Sequence, residues 1–186
     1  MVDFQLPAQV WFPVVTLVVG ALLKGIFDML SDRRSHRRER EARYEQRRDA
    51  LALRRAEFQR ETLLKLQDVI SQMTRLTGRI NHEDVMAFRQ SGAWRQNRLP
   101  EDVNQGYLEA TMQMGQLRVR VRDDSIRELA AHFSSTCAGV GMATSEDESR
   151  ALIDEIVSVR DQLVERLGAV LRSLDDGEDQ ILADHR

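Results

Sequence analysis

The feature that most constrains this chain is an apolar segment followed directly by an arginine-rich one. Residues 10–23 carry no charge, and residues 10–27 carry only Lys24. At about 1.5 Å rise per residue, a helix over residues 10–27 is about 27 Å long, close to the thickness of the hydrocarbon core of a bilayer. A lysine near the end of such a helix keeps its stem in lipid while its ammonium group reaches the headgroups. The pattern therefore predicts a transmembrane helix over residues 10–30.

The residues around this segment predict its anchors and its orientation. Trp11 and Phe12 stand at one end, where interfacial aromatic side chains are expected, and Lys24 and Phe27 stand near the other. Lysine and arginine are absent before the segment and dense after it, so the positive-inside rule places a short tail, residues 1–9, outside the cytoplasmic membrane and the rest of the chain in the cytoplasm. No basic residue precedes the apolar run and no small-residue cleavage site follows it, so we expect the segment to be retained as an anchor. A buried or interfacial helix is the alternative, because the strictly uncharged run is only 14 residues long.

An arginine-rich stretch, residues 31–50, follows the apolar segment. Tyr44 is its only sizeable apolar residue, so a helix here has no face to bury and is either a solvated stalk or a helix that lies on the headgroups. Each basic residue beside an anionic membrane surface contributes about 1 kcal/mol to the free energy of binding. Because the run directly follows the span and is interleaved with glutamates, we expect lipid of the inner leaflet as its partner and no nucleic acid. The arginines expected to contact anionic lipid are Arg33, Arg34, Arg37, Arg38 and Arg40.

Beyond residue 50 the apolar residues recur at helical spacing. Glycine and proline punctuate a loop over residues 91–100, and Trp94 within it is expected to pin the loop to the core. The pattern predicts an antiparallel helical bundle over residues 51–174, followed by a flexible acidic tail over residues 175–186. The seams are narrow and heptad-like, which leaves surface for self-association. The residues expected to mediate self-association are Leu66, Val69, Met73 and Leu76.

Short local signals predict where the bundle helices begin and end. Gly78 is expected to interrupt the first of them. Capping boxes at Ser125–Glu128 and Ser145–Glu148 are expected to start the third and fourth helices. Residues 138–144 are then expected to form a loop, and Gly177 to end the last helix.

The distribution of charge and the cysteine content narrow the class of protein. Residues 1–100 hold 18 basic and 12 acidic side chains, a net charge of +6, and residues 101–186 hold 9 basic and 18 acidic, a net charge of −9. The positive half thus lies on the side of the predicted membrane, which suits an anionic leaflet. Cys137 is the only cysteine, which excludes an intrachain disulfide and a multi-cysteine zinc site and fits a reducing compartment.

No motif in the sequence indicates a reaction. His82, Glu83 and Asp84 are adjacent, and adjacent residues on a helix point in different directions, so they do not converge on a metal. Gly139 and Gly141 follow a helical pattern and lack the third glycine of a dinucleotide-binding loop. We therefore expect no catalytic, cofactor-binding or metal-binding residues and do not expect an enzyme.

The layout resembles that of small single-pass, membrane-anchored coiled-coil proteins of actinobacteria and their phages. The residues that carry this resemblance are Trp11–Leu23, Arg33–Arg48 and Leu163–Leu174. It implies an all-α fold, with one N-terminal transmembrane helix that continues into a long charged helix and then a cytoplasmic antiparallel bundle. It implies no active site.

Two functions are compatible with this layout. We expect a membrane-tethered interaction or scaffolding protein that forms a homo-oligomer or binds a cytoplasmic protein partner. The alternative is a phage-type membrane effector, either holin-like or a superinfection-exclusion or defence protein, that acts through an oligomerising transmembrane helix. Residues 14–23 are almost wholly apolar, which disfavours a holin because its span must tolerate water on one face.

Overall fold

The computed structural model describes residues 8–94 and 98–183, with the side chains of residues 20, 24, 39–94 and 98–183. Within these ranges the chain forms four α-helices and no strand, which confirms the predicted all-α class. The helices are α1 (Ala8–Ser91), α2 (Glu101–Arg118), α3 (Asp124–Met142) and α4 (Glu146–Ala183).

The chain divides into two compact units, residues 1–51 and residues 52–186. In the first unit, no described side chain between residues 39 and 51 is buried. Tyr44 is exposed there, as a stretch of alternating arginine and glutamate without an apolar face requires.

The predicted transmembrane segment falls largely outside the described side chains. Within it, only Gly20 and Lys24 are described, and both are exposed, whereas the anchors Trp11, Phe12 and Phe27 lie outside. Among the residues that were described, no helix is both long and apolar enough to cross a membrane. Of the arginines predicted to contact lipid, Arg40 is exposed. The others lie outside the described side chains: Arg33, Arg34, Arg37 and Arg38.

The second unit is a bundle in which consecutive helices run antiparallel. Arg79, late in α1, bonds to Asp102 at the start of α2 over 2.9 Å. The hydroxyl of Ser149, at the start of α4, donates to Oδ1 of Asn81 on α1 over 2.8 Å. Gln59, which lies earlier on α1, reaches the turn that follows α2. The end of α1 therefore lies beside the starts of α2 and α4, as an up-down-up-down bundle requires.

The core of this unit is formed by the apolar seams of all four helices, with Phe133 as the largest fully buried side chain. Leu66, Val69 and Met73 belong to this core, and Leu76 packs against it. Three of the four residues that we predicted to mediate self-association, Leu66, Val69 and Met73, are therefore buried within the core of a single chain, whereas Leu76 is half-buried. Their spacing identified a buried seam correctly but did not say whether the partner helix belonged to the same chain.

Two helices extend beyond the glycines that were expected to limit them. α1 continues through Gly78 to Ser91, since Thr77 and Ile80 on either side are buried in the bundle. α4 continues through Gly177 to Ala183. A helical glycine costs about 1 kcal/mol relative to alanine, and at neither place does this cost end the helix.

The start and end of α3 also differ from the prediction. Its N-cap is Asp123 rather than Ser125, and the Asp123 carboxylate accepts a hydrogen bond of 2.9 Å from the amide of Ile126. The helix then covers most of the predicted loop and ends at Met142. A Cβ atom at Gly139 would lie 3.3 Å from Leu152 on α4, so this glycine permits close packing of two helices rather than a loop.

The start of α4 and the loop before α2 match their predictions. The amide of Glu148 donates to the Ser145 hydroxyl over 3.2 Å, and the Glu148 carboxylate accepts from the amide of Thr144 over 2.7 Å. The indole of Trp94 donates to the carbonyl of Ala143 over 2.9 Å. Trp94 therefore pins its loop to the end of α3.

Candidate functional site

The bundle has an open groove at the end that carries the turn between α2 and α3. We call it the end groove; its volume is about 500 Å³. Its apolar lining comes from α1, α4 and the turn: Ala52, Ala56, Leu63, Val121, Val170 and Leu174. Its polar lining is Arg55, Gln59, Arg122 and Asp123.

The groove exists because two helices of the bundle are longer than the other two. α2 ends at Arg118 and α3 begins at Asp124, whereas α4 continues to Ala183 and contacts Arg60 of α1 through Glu178. Beyond the turn, the apolar sides of α1 and α4 thus lose the two helices that cover them elsewhere. Two antiparallel helices alone cannot enclose an apolar seam, so the seam opens as a groove.

Gln59 joins α1 to the turn that closes one side of the end groove. Its Nε2 donates to the carbonyl of Arg120 over 2.9 Å, and its Oε1 accepts from the amide of Arg122 over 3.0 Å. The side chain is 7% exposed, so both bonds are largely shielded from water. Gln59 lies on the same face of α1 as Leu63 and Leu66. A polar residue at an apolar position was the sequence signal for this contact, and sequence analysis missed it.

A second contact holds the last turns of α4 against α1. The Arg60 guanidinium donates to both carboxylate oxygens of Glu178, over 3.1 and 2.9 Å, and to Asp175 over 2.5 Å. The hydrogen bonds to Glu178, and to a smaller extent the bond to Asp175, raise the pKa of Arg60. Residues 175–183, predicted as a flexible tail, are therefore helical, and two of their acidic side chains are paired.

The rim of the end groove is positively charged. Asp123 is already paired, with an oxygen 2.6 Å from Nη2 of Arg166, and this bond holds the pKa of the Asp123 carboxyl below its usual value. Arg55 and Arg122 are exposed. Among the residues that the structure describes, neither guanidinium forms an ion pair. These two arginines are available to an acidic ligand.

The remaining titratable side chains that the structure describes are dispersed over the bundle and its core. No group of three or more histidine, cysteine or acidic side chains in the described part of the chain could hold a metal ion. His82 is exposed whereas Asp84, two residues on, is buried, so the acidic cluster at this point does not converge. Cys137 is buried in the core, and burial raises the pKa of its thiol to about 11. His132 faces Glu155 across 3.1 Å on an exposed surface.

The chain matches no protein-family model, no curated protein and no solved structure. Its resemblance in layout to membrane proteins of actinobacteria and phages therefore stays a prediction. The end groove is the candidate functional site because of its own geometry and charge.

Proposed function

We propose that this chain is a membrane-tethered helical interaction protein whose bundle binds an acidic amphipathic segment of a cytoplasmic protein in the end groove. The observation that carries the proposal is an open apolar groove of about 500 Å³ with two exposed arginines, Arg55 and Arg122, on its rim, neither of which forms an ion pair with a described residue. The tether rests on the apolar residues 10–27 and on the arginines that follow them.

The groove suits a helical segment because it continues the seam of a bundle. An amphipathic helix that lies along α1 and α4 places its apolar side chains on Ala56, Val170 and Leu174. Acidic side chains beside that apolar face then reach Arg55 and Arg122, whose planar guanidinium groups bind carboxylates through two parallel hydrogen bonds. Pockets of a few hundred Å³ accept a small number of side chains, so the partner contributes a short segment rather than a large surface.

The tether is tested by comparing the full chain with a chain that begins at Ser31. We expect the full chain to float with membranes and to need detergent for extraction. The shortened chain should lack the apolar span and should stay in solution as a helical protein. A full chain that is soluble without detergent would contradict the tether and would place residues 10–27 in a protein core or interface.

The groove is tested by a photo-reactive amino acid at Ala56 in the full chain, with the same amino acid at the exposed Ser158 as the matched control. We expect a discrete adduct at Ala56 that Ser158 does not form, and an acidic amphipathic sequence in the peptide attached to it. The charge reversals Arg55→Glu and Arg122→Glu should abolish that adduct. Equal adducts at both positions, an adduct that survives both reversals, or an adduct with a second copy of this chain would refute the proposed ligand.

A further inference from the structure

The turn between α2 and α3 carries the most exposed large apolar side chain described in the bundle, and three arginines lie beside it in the sequence. Val119 is 75% exposed, and it lies between Arg118 and Arg120, with Arg122 two residues further on. We call residues 118–122 the arginine turn. Arg120 and Arg122 are exposed and Arg118 is half-buried. The alternation of valine and arginine therefore presents one valine and the charged side chains to solvent.

The arginine turn is held in this shape from inside the bundle. Val121, the second valine, is buried in the core. The backbone on either side of it is bonded to Gln59, through the carbonyl of Arg120 and the amide of Arg122. A turn that is fixed at its centre holds Val119 at the surface.

The arginine turn carries three positive charges, and no described side chain forms an ion pair with them. The two acidic residues that follow the turn are engaged elsewhere, Asp123 with Arg166 and Asp124 with Arg127. Two exposed carboxylates without a bonded partner in the described part of the chain lie nearby: Glu128 lines a pocket with Arg118, and Asp68 lines one with Arg120.

We infer that the arginine turn is a second membrane-contact site, which binds the anionic phospholipid surface with its arginines and inserts Val119 between the headgroups. This inference rests on the proposed tether, because an anchored chain meets phospholipid at a high effective concentration. An exposed apolar side chain among arginines matches the membrane interface, where the guanidinium groups bind phosphates and the apolar group enters the acyl boundary. A purely charged polyanion would explain the arginines but not the exposure of Val119.

The arginine turn and the end groove share one end of the bundle. Arg122 and Ala52 line the same groove, so the arginine turn lies at the end of the bundle that includes Ala52. Contact of the turn with lipid would hold that end of the bundle, and with it the end groove, beside the membrane.

The test uses the full chain reconstituted into phosphatidylcholine vesicles with and without phosphatidylglycerol. An environment-sensitive dye is attached to Val119→Cys or, as the matched control, to Met142→Cys. Met142 is also exposed, at 67%, but it lies at the other end of α3. Cys137 is buried and should remain unlabelled in the folded chain. The measurement is quenching of the dye by brominated lipid.

We expect the dye at position 119 to be quenched several-fold more than the dye at position 142, and only in vesicles that contain phosphatidylglycerol. High salt should remove the difference, because screening weakens contacts between exposed charges. Replacement of Arg118, Arg120 and Arg122 by alanine should also remove it, whereas replacement of the same three by lysine should preserve it. Each arginine near an anionic surface contributes about a fivefold factor in binding, so loss of all three is expected to be fully visible.

Three results would overturn the inference. They are equal quenching at both positions, quenching at position 119 that does not depend on phosphatidylglycerol, and protection of position 119 by added polyglutamate or nucleic acid but not by lipid. A chain that floats with the vesicles but shows any of these results refutes the membrane contact alone. A chain that does not float with the vesicles refutes the proposed tether and this inference with it.

Discussion

The contact between Gln59 and the arginine turn allows a quantitative prediction. Gln59→Ala removes two hydrogen bonds to the turn, each of which contributes about 1 kcal/mol net to stability. It also removes one largely buried methylene, which contributes about 0.8 kcal/mol. The free energy of unfolding of the bundle should therefore fall by about 3 kcal/mol. For a unit of this size, that corresponds to a decrease in melting temperature of about 10 °C.

The matched control for this prediction is Gln67→Ala on the same helix. Gln67 is exposed, and its replacement makes the same change in helix propensity without breaking a described side-chain hydrogen bond, so its effect should stay within about 0.5 kcal/mol. Thermal unfolding of the full chain in mild detergent, followed by circular dichroism, measures the difference. Hydrogen exchange should show a faster amide at Arg122 in Gln59→Ala only. If the two variants melt together, the two hydrogen bonds do not hold the turn and the reasoning fails.

Three further predictions follow from side chains of the bundle. Asp123→Ala should lower stability by about 1 kcal/mol in urea unfolding, and Asp123→Asn by less, because asparagine still caps α3 although it loses the charge that pairs with Arg166. The pKa of the Asp123 carboxyl is lower in the folded chain than its ordinary value. The ionised carboxylate therefore stabilises the fold at a pH above the ordinary pKa, and this stabilisation is lost as the pH falls through the lower, folded-state pKa. The free energy of unfolding of Asp123→Asn should not show this loss. Burial raises the pKa of Cys137 to about 11, so ionisation of the thiol favours the unfolded chain above pH 9. Between pH 8 and pH 10, the melting temperature should therefore decrease more steeply for the natural chain than for Cys137→Ala. Equal slopes of melting temperature against pH would contradict this. Arg60→Ala should increase hydrogen exchange in residues 175–183 relative to the control Arg54→Ala, because Arg60 bonds to Glu178 whereas Arg54 forms no described bond to α4. Unchanged exchange would show that the ion pairs do not hold this end of α4.

The helical class and the core followed from apolar spacing. Leu66, Val69 and Met73 recur at steps of three and four, as do Ala110, Met114 and Leu117, and all are buried. An α-helix has 3.6 residues per turn whatever packs against it, so residues three and four positions apart share a face in any fold. The N-cap role of Ser145 was equally predictable, because an N-cap hydrogen bond reaches only three residues along the chain.

The helix ends were less predictable, because contacts between distant residues decide them. Gly78 and Gly177 are ordinary signals for the interruption or the end of a helix. Around Gly78, α1 is packed in the bundle core, and next to Gly177, the Arg60–Glu178 pair holds α4 against α1, so both helices continue. At Asp123, a cap two residues before the predicted one is favoured, since its second oxygen also pairs with Arg166. Local signals set a preference of about 1 kcal/mol, and long-range contacts of similar size reverse it.

The sequence by itself determined that the chain is helical, which residues form the seams, and that an apolar segment precedes an arginine-rich one. It did not determine which helices cover each seam, so Leu66 and Val69 were open to a second copy until the bundle enclosed them. The end groove and the arginine turn were likewise decided only by tertiary structure. Both depend on where α2 and α3 stop beside the longer α1 and α4, and on a bond from Gln59 to residues 61 and 63 positions away. Sequence spacing specifies the face of a helix, but only packing decides which face is left uncovered.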